Sequence, residues 1–299
     1  MKHWIQAARL RTLPLSLSGI IVGSGYAYYQ NPDNFNYTIL ILALLTTLGL
    51  QILSNYANDY GDGIKGTDRN RIGEKRLVAA GIITAQQMKN ATIITGVVTF
   101  VLSLALIYVS FGKDNFSFSL LFFLLGLSSI VAAIKYTVGL NAYGYSGFGD
   151  VAVFIFFGLV SVLGSNFLYV HFLDWKLFLA ATSIGLLSVA VLNLNNMRDI
   201  ENDIAAKKHT LVVAMGLRNA KHYHKLLLIC AAITFLLFSY FSETSFLPIL
   251  IVNFFLLKHY RNVKQATSYE DFDPELKKVA LSTFALSVLC AILLVLWSK

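Results

Sequence analysis

The sequence predicts an all-α protein, a polytopic membrane bundle of about nine transmembrane helices. Three observations predict it. Of the 299 residues, 56% are hydrophobic and only 13% charged, with a mean hydropathy of +0.64; a soluble domain is nearer half apolar and a quarter charged. The apolar residues gather into long blocks, most of them near the ~20 residues needed to cross ~30 Å of hydrocarbon. The basic residues alternate with those blocks as the positive-inside rule requires.

Taken in order, the apolar blocks fall at 13–29, 37–57, 91–111, 116–136, 150–170, 175–197, 225–241, 246–257 and 279–298. The eighth is short for a full crossing, and is expected to tilt, to be extended by Phe241 and its neighbours, or to re-enter. With the N-terminus inside, the inner segments hold 21 of the 24 Lys and Arg, leaving Lys113, Lys176 and Lys299 outside. A wrong number of crossings would scramble this alternation. The expected location is therefore the cell membrane, with the N-terminus and two long loops, 58–90 and 198–224, on the cytoplasmic side. The net charge of +8 is mostly topology and calls for no nucleic acid; anionic lipid or substrate is a secondary reading. Lys2, Arg9 and Arg11 precede Pro14, and no small-residue cleavage site closes a short apolar run, so no cleavable signal is expected. Cys230 and Cys290 lie in apolar blocks, and no CxxC or Cys/His cluster points to zinc or redox chemistry. His209, His222 and His224 fall in the second inner loop, where solvated or headgroup-facing positions are expected. The whole chain, 1–299, reads as one domain capped by the two loops.

Both loops begin at the end of an apolar helix with a run of Asn and Asp. The first reads Asn55-Tyr56-Ala57-Asn58-Asp59-Tyr60-Gly61-Asp62, followed by Lys65, Asp68, Arg69, Lys75 and Arg76. The second reads Asn195-Asn196-Met197-Arg198-Asp199-Ile200-Glu201-Asn202-Asp203, followed by Lys207 and Lys208. On a helix Asn55, Asp59 and Asp62 share one face, and so do Asn195, Asp199 and Asp203. Carboxylates at a bilayer edge cost free energy unless paired, hydrated or bound to a cation. Mg²⁺ takes oxygen ligands and bridges one or two carboxylates to substrate phosphates. Two facing Asp groups would hold such ions around a diphosphate, with trailing Lys and Arg neutralising its other oxygens. No GxxxxGK[ST] loop is present, so a P-loop nucleotide site is not supported. A diphosphate at a membrane surface beside an apolar bundle suggests a lipid diphosphate.

These motifs resemble the two Asp-rich motifs of the UbiA superfamily of membrane prenyltransferases. The resemblance is closest to the branch that prenylates 1,4-dihydroxy-2-naphthoate in menaquinone synthesis. It is carried by Ala8 through Pro14, Asn55 through Asp68, Lys75 through Val78, Tyr143-Gly144-Tyr145 with Gly147, Gly149 and Asp150, and Asn195 through Leu211. The last quarter of the chain is similar in hydropathy alone. Three departures stand out. Gly66 occupies the place of a third Asp found in many members, Lys207 replaces a Gly before Lys208, and Asp150 stands where the family has Glu.

The resemblance implies a central cavity, two Mg²⁺ ions, and ionisation of a polyprenyl diphosphate followed by attack of an electron-rich ring. In the naphthoate branch the ring carbon bearing the carboxylate is attacked and CO₂ leaves. Asp59, Asp62, Asp199 and Asp203 are expected as catalytic metal ligands, with Asn55 and Asn195 completing or orienting their shells. Arg198, Lys208, Lys75 and Arg76 are the diphosphate candidates, with snorkelling to headgroups a rival for the last two. Arg9 or Arg11 would receive the acceptor carboxylate, and Tyr136, Tyr143 and Tyr145 would flank the carbocation. Other acceptors, 4-hydroxybenzoate or homogentisate, remain open. A transporter is disfavoured because the carboxylates fall at helix ends beside basic loops rather than in mid-helix breaks. The Asp/Gly motif of CDP-alcohol phosphotransferases is not found.

Overall fold

The computed structural model describes residues 2–67, 73, 76–139 and 142–298; Lys75 and Asp68 lie outside them. Among these residues the secondary structure is helical. A short α1 (Lys2–Ala8) leads into α2 (Leu13–Gln30), α3 (Tyr37–Lys65), α4 (Ala85–Phe111) and α5 (Phe116–Lys135). The next long segment is composite: α6 (Gly149–Val153), a π-helical stretch (Phe154–Val160) and α7 (Ser161–Val170). Then come α8 (Trp175–Arg198), the short α9 (Ile200–Ala205), α10 (Leu211–Phe241), α11 (Leu247–Gln265) and α12 (Phe272–Trp297). Nine long helical segments result among the described residues, and seven of them are long and apolar enough to cross a membrane.

Local chemistry explains the boundaries. Asn36 caps α3 by accepting the Thr38 N–H at 2.9 Å, and Gly66 ends it at φ 70°, a left-handed conformation that glycine adopts freely. A capping box starts α4: Gln87 N–H donates to Thr84 Oγ1 at 3.2 Å, and Thr84 N–H to Gln87 Oε1 at 3.0 Å. Thr210 caps α10 through the Val213 N–H. That cap starts the helix well before its apolar block, so residues 211–224 are helical rather than part of a loop, with one kink at Gly216. Similarly α3 runs on to Lys65, and α11 extends beyond the short apolar block to Gln265, about 28 Å at 1.5 Å per residue.

Packing relies on small residues, as expected where lipid offers no hydrophobic drive between helices. A Cβ added at Gly19 or Gly23 of α2 would overlap Ser161 or Ser165 of α7, and one at Gly25 would stand 2.9 Å from Ala291 of α12. The π-helical stretch brings Gly158 against Gly185 of α8, where a Cβ would fall 2.7 Å from the Gly185 Cα. A polar chain ties the last three long helices. His224 Nε2 lies 2.8 Å from His259 Nε2, His259 Nδ1 lies 2.6 Å from Glu275 Oε2, and Asn262 donates to Glu275 Oε1 at 2.9 Å. His224 is thus fully buried in α10, against the solvated position expected; His209 and His222 are exposed.

Candidate active site

A cavity of about 430 Å³ is bounded by residues from α2 through α8 and the segments after them. Toward one set of helix ends its walls are apolar, with Ile20, Leu106, Ile107, Phe122, Phe156 and Leu168 among them. Toward the other, α3 contributes Asn58 and Asp62, α8 with its C-cap contributes Asn195 and Asp199, and α9 contributes Asp203. Arg9, Arg76 and Lys208 also line it. One wall, α5, buries none of its residues, yet Phe122, Gly126 and Ser129 from it face the cavity.

Lys208 joins the two motifs. Its Nζ lies 3.6 Å from Asp62 Oδ1 and 3.8 Å from Asp203 Oδ1. Arg76 Nη2 lies 3.5 Å from Asp62 Oδ2, and the Tyr145 hydroxyl donates to Asp62 Oδ1 at 2.7 Å. The Tyr145 ring carries two ammonium groups, Lys65 Nζ at 4.2 Å and Lys208 Nζ at 4.6 Å from its centroid. The turn that delivers Lys208 is closed by its N–H donating to the Asp203 carbonyl at 2.8 Å. Lys207 adopts a left-handed backbone at φ 53°, a conformation that glycine takes freely. Another left-handed non-glycine, Arg9 at φ 52°, lines the cavity, whereas Lys207 does not.

Other expected site residues face elsewhere. Asp59 is buried, and its two oxygens accept the Leu77 N–H and the Val78 N–H, each at 3.0 Å. It does not line the cavity; it pins the loop that presents Arg76. Arg198 is also turned away from the cavity, although it was expected at the diphosphate. Its Nε donates to Asp199 Oδ1 at 2.7 Å, and its Nη2 to Asp199 Oδ2 at 2.8 Å and Asn195 Oδ1 at 2.7 Å. Its Nη1 donates to Asp273 Oδ1 at 2.6 Å. Arg11 lies outside the lining as well, with its Nη1 3.5 Å from each Asp273 oxygen. Asn55 lines the cavity but uses its amide nitrogen on the Ala8 carbonyl at 2.8 Å and on Thr12 Oγ1 at 3.1 Å, fixing the N-terminal segment to α3.

The member of the first motif that matches Asn195 in position is therefore Asn58, not Asn55: Asn58 and Asp62 have the same Asn-x-x-x-Asp spacing as Asn195 and Asp199, and all four line the cavity. Tyr136 and Tyr143 line it too, edge to face, with centroids 5.3 Å apart. Burial pushes the Tyr143 phenol up to about 12. The Tyr143 ring therefore stays neutral at physiological pH.

Among the described residues no group of three or more His, Cys, Asp or Glu forms a ready-made metal cluster. The donors around the cavity mouth are nonetheless all oxygen: Asp62, Asp199 and Asp203 with the Asn58, Asn195 and Asn202 amides. That set fits a hard divalent ion held by one or two carboxylates and completed by substrate phosphate, rather than one caged by protein alone.

A helical membrane bundle whose two Asn/Asp motifs face one apolar cavity is the architecture of a membrane prenyltransferase. The chain belongs to the UbiA prenyltransferase family, whose pattern matches residues 16–281. It is 41% identical to the 1,4-dihydroxy-2-naphthoate octaprenyltransferase of Haemophilus influenzae over 97% of this chain and 94% of that one. It is 47% identical to the enzyme of the same name from Escherichia coli over 80% and 77% of the two chains. The fold is similar to that of a UbiA homologue from Archaeoglobus fulgidus bound to DMAPP and Mg²⁺, with a TM-score of 0.69 and 16% identity over 98% of each chain. An apo UbiA homologue from Aeropyrum pernix gives 0.72 at 14% identity, covering 94% of this chain and 98% of that one.

Proposed function

We propose that this chain transfers a polyprenyl group from polyprenyl diphosphate to 1,4-dihydroxy-2-naphthoate, with loss of CO₂ and diphosphate, in menaquinone biosynthesis. The observation that carries this reading is the convergence of Asp62 and Asp203 on Lys208 at the polar end of an otherwise apolar cavity. The relatives' names support the choice of acceptor.

Asp62, Asp199 and Asp203, with Asn58 and Asn195, would hold Mg²⁺, and two facing motifs suit two ions. Bound there, the metal supplies positive charge against that developing on the leaving diphosphate. Lys208 and Arg76 neutralise other diphosphate oxygens. The allylic C–O bond breaks with its electron pair going to the diphosphate. The ring carbon bearing the carboxylate then forms the new C–C bond, and the pair freed as CO₂ departs restores the ring. Tyr136 and Tyr143 offer π faces to the carbocation. Arg9, which lines the cavity, receives the acceptor carboxylate, whereas Arg11 is held on Asp273. Asp59 serves the site by anchoring the 77–78 backbone.

The chain forms one domain, and the loops that carry the bases face the cytoplasm of a cell membrane by the positive-inside rule. The unburied α5 wall lets the prenyl tail lie toward lipid, since it is too apolar to wait in water.

The test is a membrane assay with a labelled polyprenyl diphosphate and three acceptors side by side: 1,4-dihydroxy-2-naphthoate, 4-hydroxybenzoate and homogentisate. A clear preference for the naphthoate, with CO₂ released from its carboxylate, is expected. Faster turnover of 4-hydroxybenzoate with its carboxylate retained would overturn the acceptor. In the same membranes activity should rise from five-carbon to long donors; a preference for the five-carbon donor would count against a lipid-quinone role.

A further inference from the structure

The C-terminal quarter carries none of the Asp motifs, yet the first turn of α12 reaches the site. Asp273 stands there, one-third exposed, with its Oδ1 2.6 Å from Arg198 Nη1. Arg198 is buried to within 1% and spends its other nitrogens on both Asp199 oxygens and on Asn195 Oδ1. The same Asp273 carboxylate lies 3.5 Å from Arg11 Nη1. Gly73, in the loop after α3, packs so close that a Cβ there would stand 2.9 Å from Arg198 Cζ. One guanidinium therefore gathers the end of α8, the start of α12 and the loop after the first motif.

We propose that Asp273 is a positioning residue for prenyl transfer, acting through Arg198 on the cavity-facing carboxylate Asp199. The role presupposes the metal-and-diphosphate site proposed above. Arg198 divides its single positive charge between two carboxylates, of which only Asp199 lines the cavity. Among the described residues, removing the Asp273 charge leaves Asp199 as that guanidinium's one carboxylate partner. Asp199 is then drawn more tightly to Arg198 and has less negative charge to offer a divalent cation. Asp273 thus sets how strongly the second motif holds metal without touching metal or substrate. Within α12 the neighbouring carboxylate, Glu275, is turned instead to His259 and Asn262, so the effect is specific to position 273.

The test uses the full-length protein in detergent, with Mn²⁺ binding followed by its EPR signal in the presence of inorganic diphosphate. Asp273→Asn is expected to weaken Mn²⁺ binding about tenfold, to raise the Mg²⁺ needed for half-maximal prenyl transfer in parallel, and to leave KM for the aromatic acceptor little changed. Asp273→Glu, which keeps the charge, is expected to bind Mn²⁺ as the wild type does. Asp271→Asn is the control for damage to the turn, because Asp271 accepts the Thr267 and Ser268 N–H groups at 2.9 Å each; it should lower thermal stability without moving Mn²⁺ affinity. Unchanged Mn²⁺ binding in a folded Asp273→Asn, or a tenfold loss in Asp273→Glu, would overturn the inference. Failure of the wild type itself to bind Mn²⁺ with diphosphate would instead strike the metal-and-diphosphate reading.

Discussion

The two acidic motifs look alike in sequence and are used differently. At the end of α3, Asp62 enters the cavity while Asp59 turns back to hold the Leu77 and Val78 amides. At the junction of α8 and α9 both Asp199 and Asp203 enter, and the scaffold role falls to Arg198, which grips Asp199, Asn195 and Asp273. The surroundings differ as well: two-thirds (67%) of the apolar window of α8 is buried, against 22% for α3. The first motif stands on an exposed helix and is steadied by its own loop, the second on the central helix and is steadied by a distant one. Each site thus combines groups aimed at the cavity with groups that fix the backbone, and spacing alone does not say which is which.

That division can be broken residue by residue. The largest effect belongs to the cavity-facing carboxylates. Asp62→Asn and Asp203→Asn should each cut turnover by roughly 10²–10⁴-fold, because several kcal/mol of transition-state stabilisation rest on them and each ~1.4 kcal/mol is tenfold in rate. Both variants should still fold, because Lys208 is paired with both carboxylates and keeps one when the other is neutralised; loss of folding in both would mark them as structural. Next comes Arg198→Gln, which leaves Asp199 and Asp273 without their shared cation. Losing one partner of a buried ion pair costs about 3–5 kcal/mol, so a large drop in melting temperature should accompany the loss of activity. A stable but inactive Arg198→Gln would place the guanidinium on substrate instead.

Asp59→Asn should be milder. An amide can accept one of the two N–H groups but presents its own NH₂ to the other, a cost of about 1–3 kcal/mol. Reduced stability with partial activity is expected, checked by thermal unfolding and a turnover assay on the same sample. The smallest effect is at Lys207. Its left-handed backbone costs about 1–2 kcal/mol for a non-glycine, and glycine gives back part of that in lost chain entropy. Lys207→Gly should therefore raise stability by under about 1 kcal/mol with turnover unchanged; a loss of activity would give this exposed lysine a role in catalysis.

Much of this architecture is legible in the sequence. Long apolar blocks fixed the order of helices, because ~20 apolar residues in a row have few alternatives to a crossing. Helix ends were less legible: α3 continues to Lys65 and α10 begins at Leu211 because their polar turns carry no hydropathy signal. The motifs announced a site but not its facing. Asp59 and Asp62 differ by about 60° around the helix, enough for one to meet the loop and the other the cavity. The Asn58–Asp62 spacing was there to be read and matches Asn195–Asp199. Asp273 gave no signal, since its partner lies 75 residues away, and the same holds for the buried His224–His259–Glu275 chain.

The most direct test of the central claim, that the cavity-facing oxygens bind metal and the inward-turned ones bind scaffold, is a Mg²⁺ titration of prenyl transfer by Asp62→Asn and Asp59→Asn side by side. Mass action should partly restore Asp62→Asn as Mg²⁺ is raised, with its half-saturation point moved well above wild type. Asp59→Asn should saturate at the wild-type Mg²⁺ concentration, with only its plateau and stability lowered. Equal shifts of the half-saturation point in the two variants would contradict the account.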